Sequence, residues 1–164
     1  MNRESYEFFI EAVDFKKVEV VSLESRQNEN FQPEGKMLDV YLDHKIKDEV
    51  VMDGVEMEVK VEFNAFAHKC QDELPNSPGK ISDEDKLFEV KFVLKLLYYL
   101  NLEDNKKLLI EISNDQEIID TFVNKNVPIN VWPYAREIIS NITMKMGFPP
   151  LMIPPYKSPV YYGE

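Results

Sequence analysis

The chain has 164 residues, 44% of them apolar or aromatic, and its 30 Asp and Glu against 19 Lys and Arg give a formal net charge of −11. This length predicts one domain with its own core, and so acidic a chain disfavours nucleic acid and anionic membrane surfaces as partners. A single cysteine, Cys70, excludes an intramolecular disulfide, and two histidines disfavour a zinc site. The N-terminus does not resemble a secretory signal and no apolar run is long enough to span a membrane, so we expect a cytoplasmic protein without membrane insertion.

Four segments before about residue 100 have the two-residue periodicity of β-strands. The clearest runs from Val55 to Ala67, where apolar side chains alternate with charged or polar ones. Two consecutive valines, Val20 and Val21, break the alternation of the first segment and predict a β-bulge there. His44 interrupts the apolar face of the second segment. We predict strands at about 13–24, 36–47, 52–68 and 87–100.

After residue 100 the periodicity changes to that of helices, which we predict at about 115–126 and 132–146. The longer helix has Pro133 near its start and Gly147 just past its end, as helix termini prefer. The Pro-rich segment 148–164 cannot form a regular helix and is expected to be extended. Strands followed by helices indicate an α+β domain over 1–164, in which a four-stranded antiparallel sheet packs against the long helix.

Catalytic groups are hard to assemble from this sequence, which has no nucleophile elbow and no phosphate-binding loop. His68 and Cys70 are spaced as a nucleophile and base, but nothing evident orients the histidine, and we interpret them as a strand end. The strand carboxylates are interpreted as solvated charges: Asp39, Asp43, Glu56, Glu58 and Glu62. A small enzyme or ligand-binding protein using the cavity between sheet and helix is an alternative, with His44 beside Asp43 as its acid–base group.

Aromatic residues and methionines are numerous, with ten Phe, eight Tyr, one Trp and seven Met. Several aromatics lie in predicted loops or beside the long helix: Phe31, Trp132, Phe148, Tyr156, Tyr161 and Tyr162. Adaptable apolar surface of this kind is typical of a groove that accepts apolar peptide segments. The alternative is that these rings cap a small core.

Four short motifs occur in the order FQPEGK from Phe31, LFEV from Leu87, WPYARE from Trp132 and GFPPL from Gly147. They resemble the motifs W-Q-P-E-x-K, L-x-E-V, F-P-Y-A-R-E and G-x-F-P-x-L of SecB, the protein-export chaperone family also described as preprotein translocase subunit SecB. The similarity extends over roughly residues 5 to 155. After the Pro-rich segment we expect no room for the C-terminal helix that the family usually adds.

The resemblance implies an ATP-independent chaperone, not an enzyme, that has no cofactor and assembles as a dimer of dimers, a homotetramer. Such a protein binds unfolded preproteins in apolar grooves between its sheet and helix layers, and some members pass them to the SecA motor. Other SecB-like proteins protect an antitoxin of a toxin–antitoxin system, so the client is either exported preproteins or one dedicated protein.

The resemblance also implies site residues, carried over position by position. A SecA-type partner surface is expected at Glu19, Leu87 and Glu89. For Trp132 and Tyr134, a place in the core is the favoured alternative to client contact. The implied client-binding groove comprises Phe31, Trp132, Tyr134, Phe148, Leu151 and Met152.

Overall fold

The computed structural model describes residues 3–31, 38–69, 81–101, 107, 110–111 and 114–157. Cys70 lies outside these residues, and so do residues 71–80, between the third and fourth predicted strands, and residues 158–164 of the Pro-rich segment, with Tyr161 and Tyr162. Within the described residues, no helix is long and apolar enough to cross a membrane. The elements are α1 (Arg3–Ala12), β1 (Val13–Gln27), β2 (Leu38–Asp53), β3 (Glu56–Lys69), β4 (Lys86–Leu100), α2 (Gln116–Lys125) and α3 (Val127–Lys145).

The four strands form one antiparallel sheet in the order β1-β4-β3-β2, which confirms the predicted sheet. A tight turn containing Gly54, at a φ of 62°, joins β2 to β3. The pairing of β1 with β4 shifts between Val20 and Ser22, at the bulge that the consecutive valines predict. A second shift, between Phe15 and Lys17, was not indicated by the sequence.

One face of the sheet, here called the helix side, carries the core. Alternation in β3 and β4 points most of their apolar residues to this face, and the rings of Phe63 and Phe92 stack at its centre with centroids 5.0 Å apart. Asn130 in α3 donates a hydrogen bond to the hydroxyl of Tyr98 near the end of β4, with a distance of 3.2 Å. Phe148, just past α3, packs on Phe88 near the start of β4. Helix α3 therefore packs across the helix side, as the resemblance implies, and it runs antiparallel to β4.

Helix α1 is an element that the sequence reasoning missed, because four charged residues within ten obscure its short apolar stripe. Its anchor is Phe9, which is fully buried and meets Phe122 of α2 edge to face, with ring centroids 5.6 Å apart. The Tyr6 hydroxyl accepts a hydrogen bond of 3.0 Å from the Asn126 side chain. The N-terminal segment is thus part of the packed structure.

The predicted start of the long helix at residue 132 is wrong, since α3 begins at Val127. Pro128 is the proline of its first turn, and Pro133 lies inside the helix. A proline at that position has no amide hydrogen for the carbonyl of Ile129, a residue that is 49% exposed, so water can satisfy that carbonyl. Asn126 both ends α2 and precedes α3, which joins the two helices without a loop.

Candidate functional site

Helix α3 leaves an apolar groove between itself and the edge strand β1. The groove encloses about 290 Å³. Two of its β1 residues, Val20 and Leu23, are 53% and 46% exposed. Tyr134 lies on this side of α3 with its ring 6.2 Å from that of Phe15. We call this feature the β1 groove; its apolar lining is Val18, Val20, Leu23, Leu94, Tyr134, Ile138 and Ile142.

On the other side of α3, three rings form what we call the aromatic cluster, His44, Phe63 and Trp132, and the ring of Tyr156 packs against it. The Trp132 ring centroid lies 6.1 Å from Phe63, 5.5 Å from His44 and 5.3 Å from Tyr156. The His44 ring stacks on Phe63 and meets Tyr156 edge on at 5.8 Å. The sequence marked His44 as an interruption of a strand face and as an alternative acid–base group, and Tyr156 as a loop aromatic. It did not place the two rings together, because contacts between distant segments leave no local pattern.

Residues 149–157, here called the strap, return along α3 in an extended conformation and cover the aromatic cluster. The amide of Leu151 donates to the hydroxyl of Thr143, with a distance of 3.0 Å. Thr143 is fully buried, and its hydroxyl is satisfied by this bond and by its own donation to the Ile139 carbonyl. Ile153 is 5% exposed, and the Pro154 carbonyl accepts a 2.7 Å hydrogen bond from the Trp132 indole.

Three rings and two exposed aliphatic residues gather where β3 ends and β4 begins. Phe148 packs on Phe88 with centroids 5.7 Å apart, and the half-buried Phe31 ring lies beneath the amino group of the last residue of β3. Leu38 and Val40 at the start of β2 point to the same helix side and are 38% and 47% exposed. We call this region the aromatic end.

The six residues of the expected client-binding groove therefore lie in three neighbouring places. Trp132 and Leu151 belong to the strap side of α3, and Met152, 71% exposed, lines a shallow cavity of about 250 Å³ beside them. Tyr134 faces the β1 groove on the opposite side of the helix. Phe31 and Phe148 lie at the aromatic end. Trp132 and Tyr134 pack against the core and are each partly exposed, so core and surface roles are combined in them.

His44 does not have the surroundings of an acid–base catalyst. Burial among the rings lowers its pKa, and the charge of Asp43 offsets this only partly. Asp43 is exposed on the other face of β2, where its register partner in β3 is Asn64. Its carboxylate therefore points away from His44 and does not orient the imidazole. His68 is buried at the end of β3, with Nδ1 2.8 Å from the carbonyl oxygen of Lys69. In the described residues, no cluster of three or more His, Cys, Asp or Glu could hold a metal ion.

The opposite face of the sheet carries charges that are paired with one another. The Glu19 carboxylate lies 2.7 Å from the amino group of Lys17 and 2.8 Å from that of Lys95, and these contacts lower its pKa to about 2. Glu62 lies between Lys45 and Lys47 at 3.2 and 3.6 Å. This face is therefore mixed in charge, and Glu19 is not an isolated acid.

Glu89 is buried, which differs from the exposed position that the resemblance implies. Its side chain is 4% exposed. The carboxylate accepts hydrogen bonds from Arg26 at 3.0 Å and Lys86 at 2.8 Å, and Lys91 lies at 3.2 Å. Leu87 beside it is half-buried and packs against the core. Burial alone would raise the pKa of Glu89, but its hydrogen bonds to Lys86 and Lys91 outweigh burial and lower it.

We expect Glu89→Gln to reduce the free energy of unfolding at pH 7 by about 1–3 kcal/mol, because three cations lose their shared buried partner. The lowered pKa means that the carboxylate stabilises the fold above its unfolded pKa near 4.5 and that this contribution disappears as the pH falls through the folded value. Urea unfolding at pH 7 and pH 3.5 measures the difference. Glu84→Gln, at an exposed carboxylate in the same segment, should change little at either pH; equal losses in the two variants would contradict the assignment.

The described elements define a class of α+β proteins in which a long helix crosses one face of a four-stranded antiparallel sheet and leaves apolar surface on both of its sides. The family described as "Preprotein translocase subunit SecB" matches residues 18–157. The chain therefore belongs to the SecB family.

Two curated relatives are protein-export proteins named SecB. That of Methylobacillus flagellatus is 28% identical over a match of 101 aligned positions, which covers 56% of this chain and 62% of the relative. That of Cellvibrio japonicus is 31% identical over a match of 108 aligned positions, which covers 60% of this chain and 62% of the relative. The matched region thus spans just under two thirds of these relatives.

A solved structure shares the fold. The Mycobacterium tuberculosis Rv1957 SecB-like chaperone, in complex with a ChAD peptide from the Rv1956 HigA1 antitoxin, has a TM-score of 0.70 over 96% of this chain and 100% of that chain. The two sequences are 13% identical. The similarity is therefore one of fold, with little of the side-chain chemistry in common.

Proposed function

We propose that this protein is an ATP-independent cytoplasmic chaperone that binds unfolded polypeptides on the helix side of its sheet. The observation that carries the proposal is the partly exposed aromatic and aliphatic surface that continues from the aromatic end along α3. Valine, leucine and phenylalanine side chains bind a partner through buried area without demanding one sequence. Family membership supports the same activity.

The clients proposed first are preproteins awaiting export, in keeping with the relatives named protein-export proteins. A net charge of −11 favours encounter with basic unfolded chains at low ionic strength. A dedicated antitoxin is the second candidate, because the structural neighbour is a SecB-like chaperone in complex with an antitoxin peptide. Isolation of the polypeptides bound in the native host distinguishes several preproteins from one antitoxin.

We propose a homotetramer, a dimer of dimers, as the working form. The exposed edge of β1 and the apolar β1 groove beside it support one interface, because a second copy can cover both at once. A tetramer also lets one long client contact several grooves, so each contact can be weak. SecA remains a proposed partner, although the ion pairs at Glu19 and the burial of Glu89 leave only part of the expected acidic surface.

Aggregation of citrate synthase diluted from guanidinium tests the activity, with the protein in several-fold molar excess and no nucleotide. We expect light scattering to be suppressed. Val40→Asp, at the aromatic end, should weaken suppression several-fold because it places a charge in the apolar surface. The matched control is Val51→Asp, since Val51 is 52% exposed near the other end of β2. Unsuppressed scattering by the unaltered protein would overturn the proposal, and equal effects of the two variants would remove the aromatic end from the site.

A further inference from the structure

The strap lies along α3 as an extended segment, held by Thr143 near one end and by Trp132 near the other. Its described residues have no regular secondary structure, and four prolines in the strap favour an extended backbone: Pro149, Pro150, Pro154 and Pro155. Alternate side chains point in different directions, since Ile153 is buried whereas Met152 and Pro154 are exposed. Under the proposed function, we expect an unfolded client to bind in the same way, with an extended backbone and with some side chains buried and others exposed.

The contacts of the strap are few, and they define a backbone register. Ile153 fills an apolar position in the core, and the next carbonyl, that of Pro154, accepts the Trp132 indole hydrogen. Tyr156 then places its ring against His44 and Trp132. The register is therefore a bulky aliphatic residue, a carbonyl facing the indole, and an aromatic ring three positions after the aliphatic one.

The prolines also limit how tightly the strap is held. Pro154 and Pro155 have no amide hydrogen to donate. Tyr156 remains partly exposed, and Lys157 is exposed. The strap is therefore held here without backbone hydrogen bonds donated from Pro154 and Pro155, and a client with ordinary residues there has two backbone donors that the strap lacks.

From this arrangement we propose that the strap is an internal occupant of the client channel over the aromatic cluster, and that clients displace it by binding in its register. The inference rests on the proposed chaperone function and names its preferred client: an extended segment with a bulky aliphatic residue followed three positions later by an aromatic one. A segment that is seated for about nine-tenths of the time weakens the apparent affinity of a competing client by about tenfold.

Reduced, carboxymethylated ribonuclease A, a permanently unfolded and basic chain, is the probe. In fluorescence anisotropy with the labelled probe, Tyr156→Ala should bind it about five- to tenfold more tightly than the unaltered protein, because the strap loses its ring contacts. Lys157→Ala, at an exposed residue of the same strap, should bind as the unaltered protein does. A synthetic peptide of residues 149–157 should compete with the probe, and a peptide of the same composition in scrambled order should compete several-fold less well.

Amide hydrogen exchange gives a second readout, because a displaced strap and a fixed strap predict opposite changes in the exchange rate. When the probe saturates the protein, amides of residues 151–157 should exchange faster, whereas a strap that forms a fixed wall of the site would exchange more slowly. Slower exchange, or an affinity of Tyr156→Ala equal to or below that of the unaltered protein, would overturn the inference and leave the chaperone function standing. Absence of both probe binding and aggregation suppression would overturn the two together.

Discussion

Val20→Glu is expected to convert the proposed tetramer into folded dimers, because it disrupts one of the two kinds of interface in a dimer of dimers. Val20 lies in the β1 groove and is 53% exposed in one chain, so a carboxylate there remains hydrated in the monomer. In a symmetric interface each chain would bury its own introduced carboxylate next to the apolar groove of its partner. Desolvation of an unpaired charge costs several kcal/mol, and it occurs twice for each interface. Sedimentation velocity measures the change, from a species near four times 19.3 kDa to one near twice 19.3 kDa.

The control for this variant is Val51→Glu, the same substitution at a residue that is 52% exposed on the opposite edge strand. It should leave the assembly intact. Neither substitution should change the free energy of unfolding of one chain by more than about 0.5–1 kcal/mol, because both sites are on the surface. A tetramer that survives Val20→Glu, or one that dissociates equally with Val51→Glu, would place the interface elsewhere. An unaltered protein that sediments as a monomer would contradict the assembly itself.

The sheet was predictable because the pattern that specifies each strand lies in residues that are neighbours in the sequence. In β3 a side-chain period of two, with valine and phenylalanine opposite glutamate and lysine, specifies both the strand and its buried face. The bulge at Val20 was visible for the same reason, since two adjacent valines cannot both follow the alternation. Helix α1 was not predictable in this way, because its docking depends on Phe9 meeting Phe122, more than a hundred residues away.

The binding surfaces were only partly predictable. Motif resemblance selected Trp132 and Phe148, which do lie beside exposed apolar surface. It placed Trp132 and Tyr134 in one groove because both belong to one motif. Their positions on the helix differ by about 200°, so Tyr134 faces the other side of α3. The resemblance also placed Glu89 on an exposed face, whereas charge pairing with Arg26 and two lysines buries it. Such pairing depends on strand neighbours, which a sequence motif does not contain.

Phe63→Ala is expected to have the largest effect on stability, a loss of about 3–5 kcal/mol in the free energy of unfolding. Phe63 is fully buried, stacks on Phe92 and lies under both His44 and Trp132. Its removal leaves a cavity between the sheet and the aromatic cluster that these rings cannot fill without moving. Urea unfolding followed by the emission of Trp132, the one tryptophan of the chain, measures the loss.

Phe15→Ala is the matched control, because Phe15 is an aromatic residue of the same sheet that is 37% exposed. Its loss should be smaller, about 1–2 kcal/mol. Both variants must be compared at one protein concentration, since assembly contributes to the measured stability. Equal losses in the free energy of unfolding of the two variants would mean that Phe63 does not support the aromatic cluster. A large loss at Phe63 alone would mean that Phe63 belongs to the rigid core. The strap and a client would then exchange above Phe63 without rearrangement of the sheet.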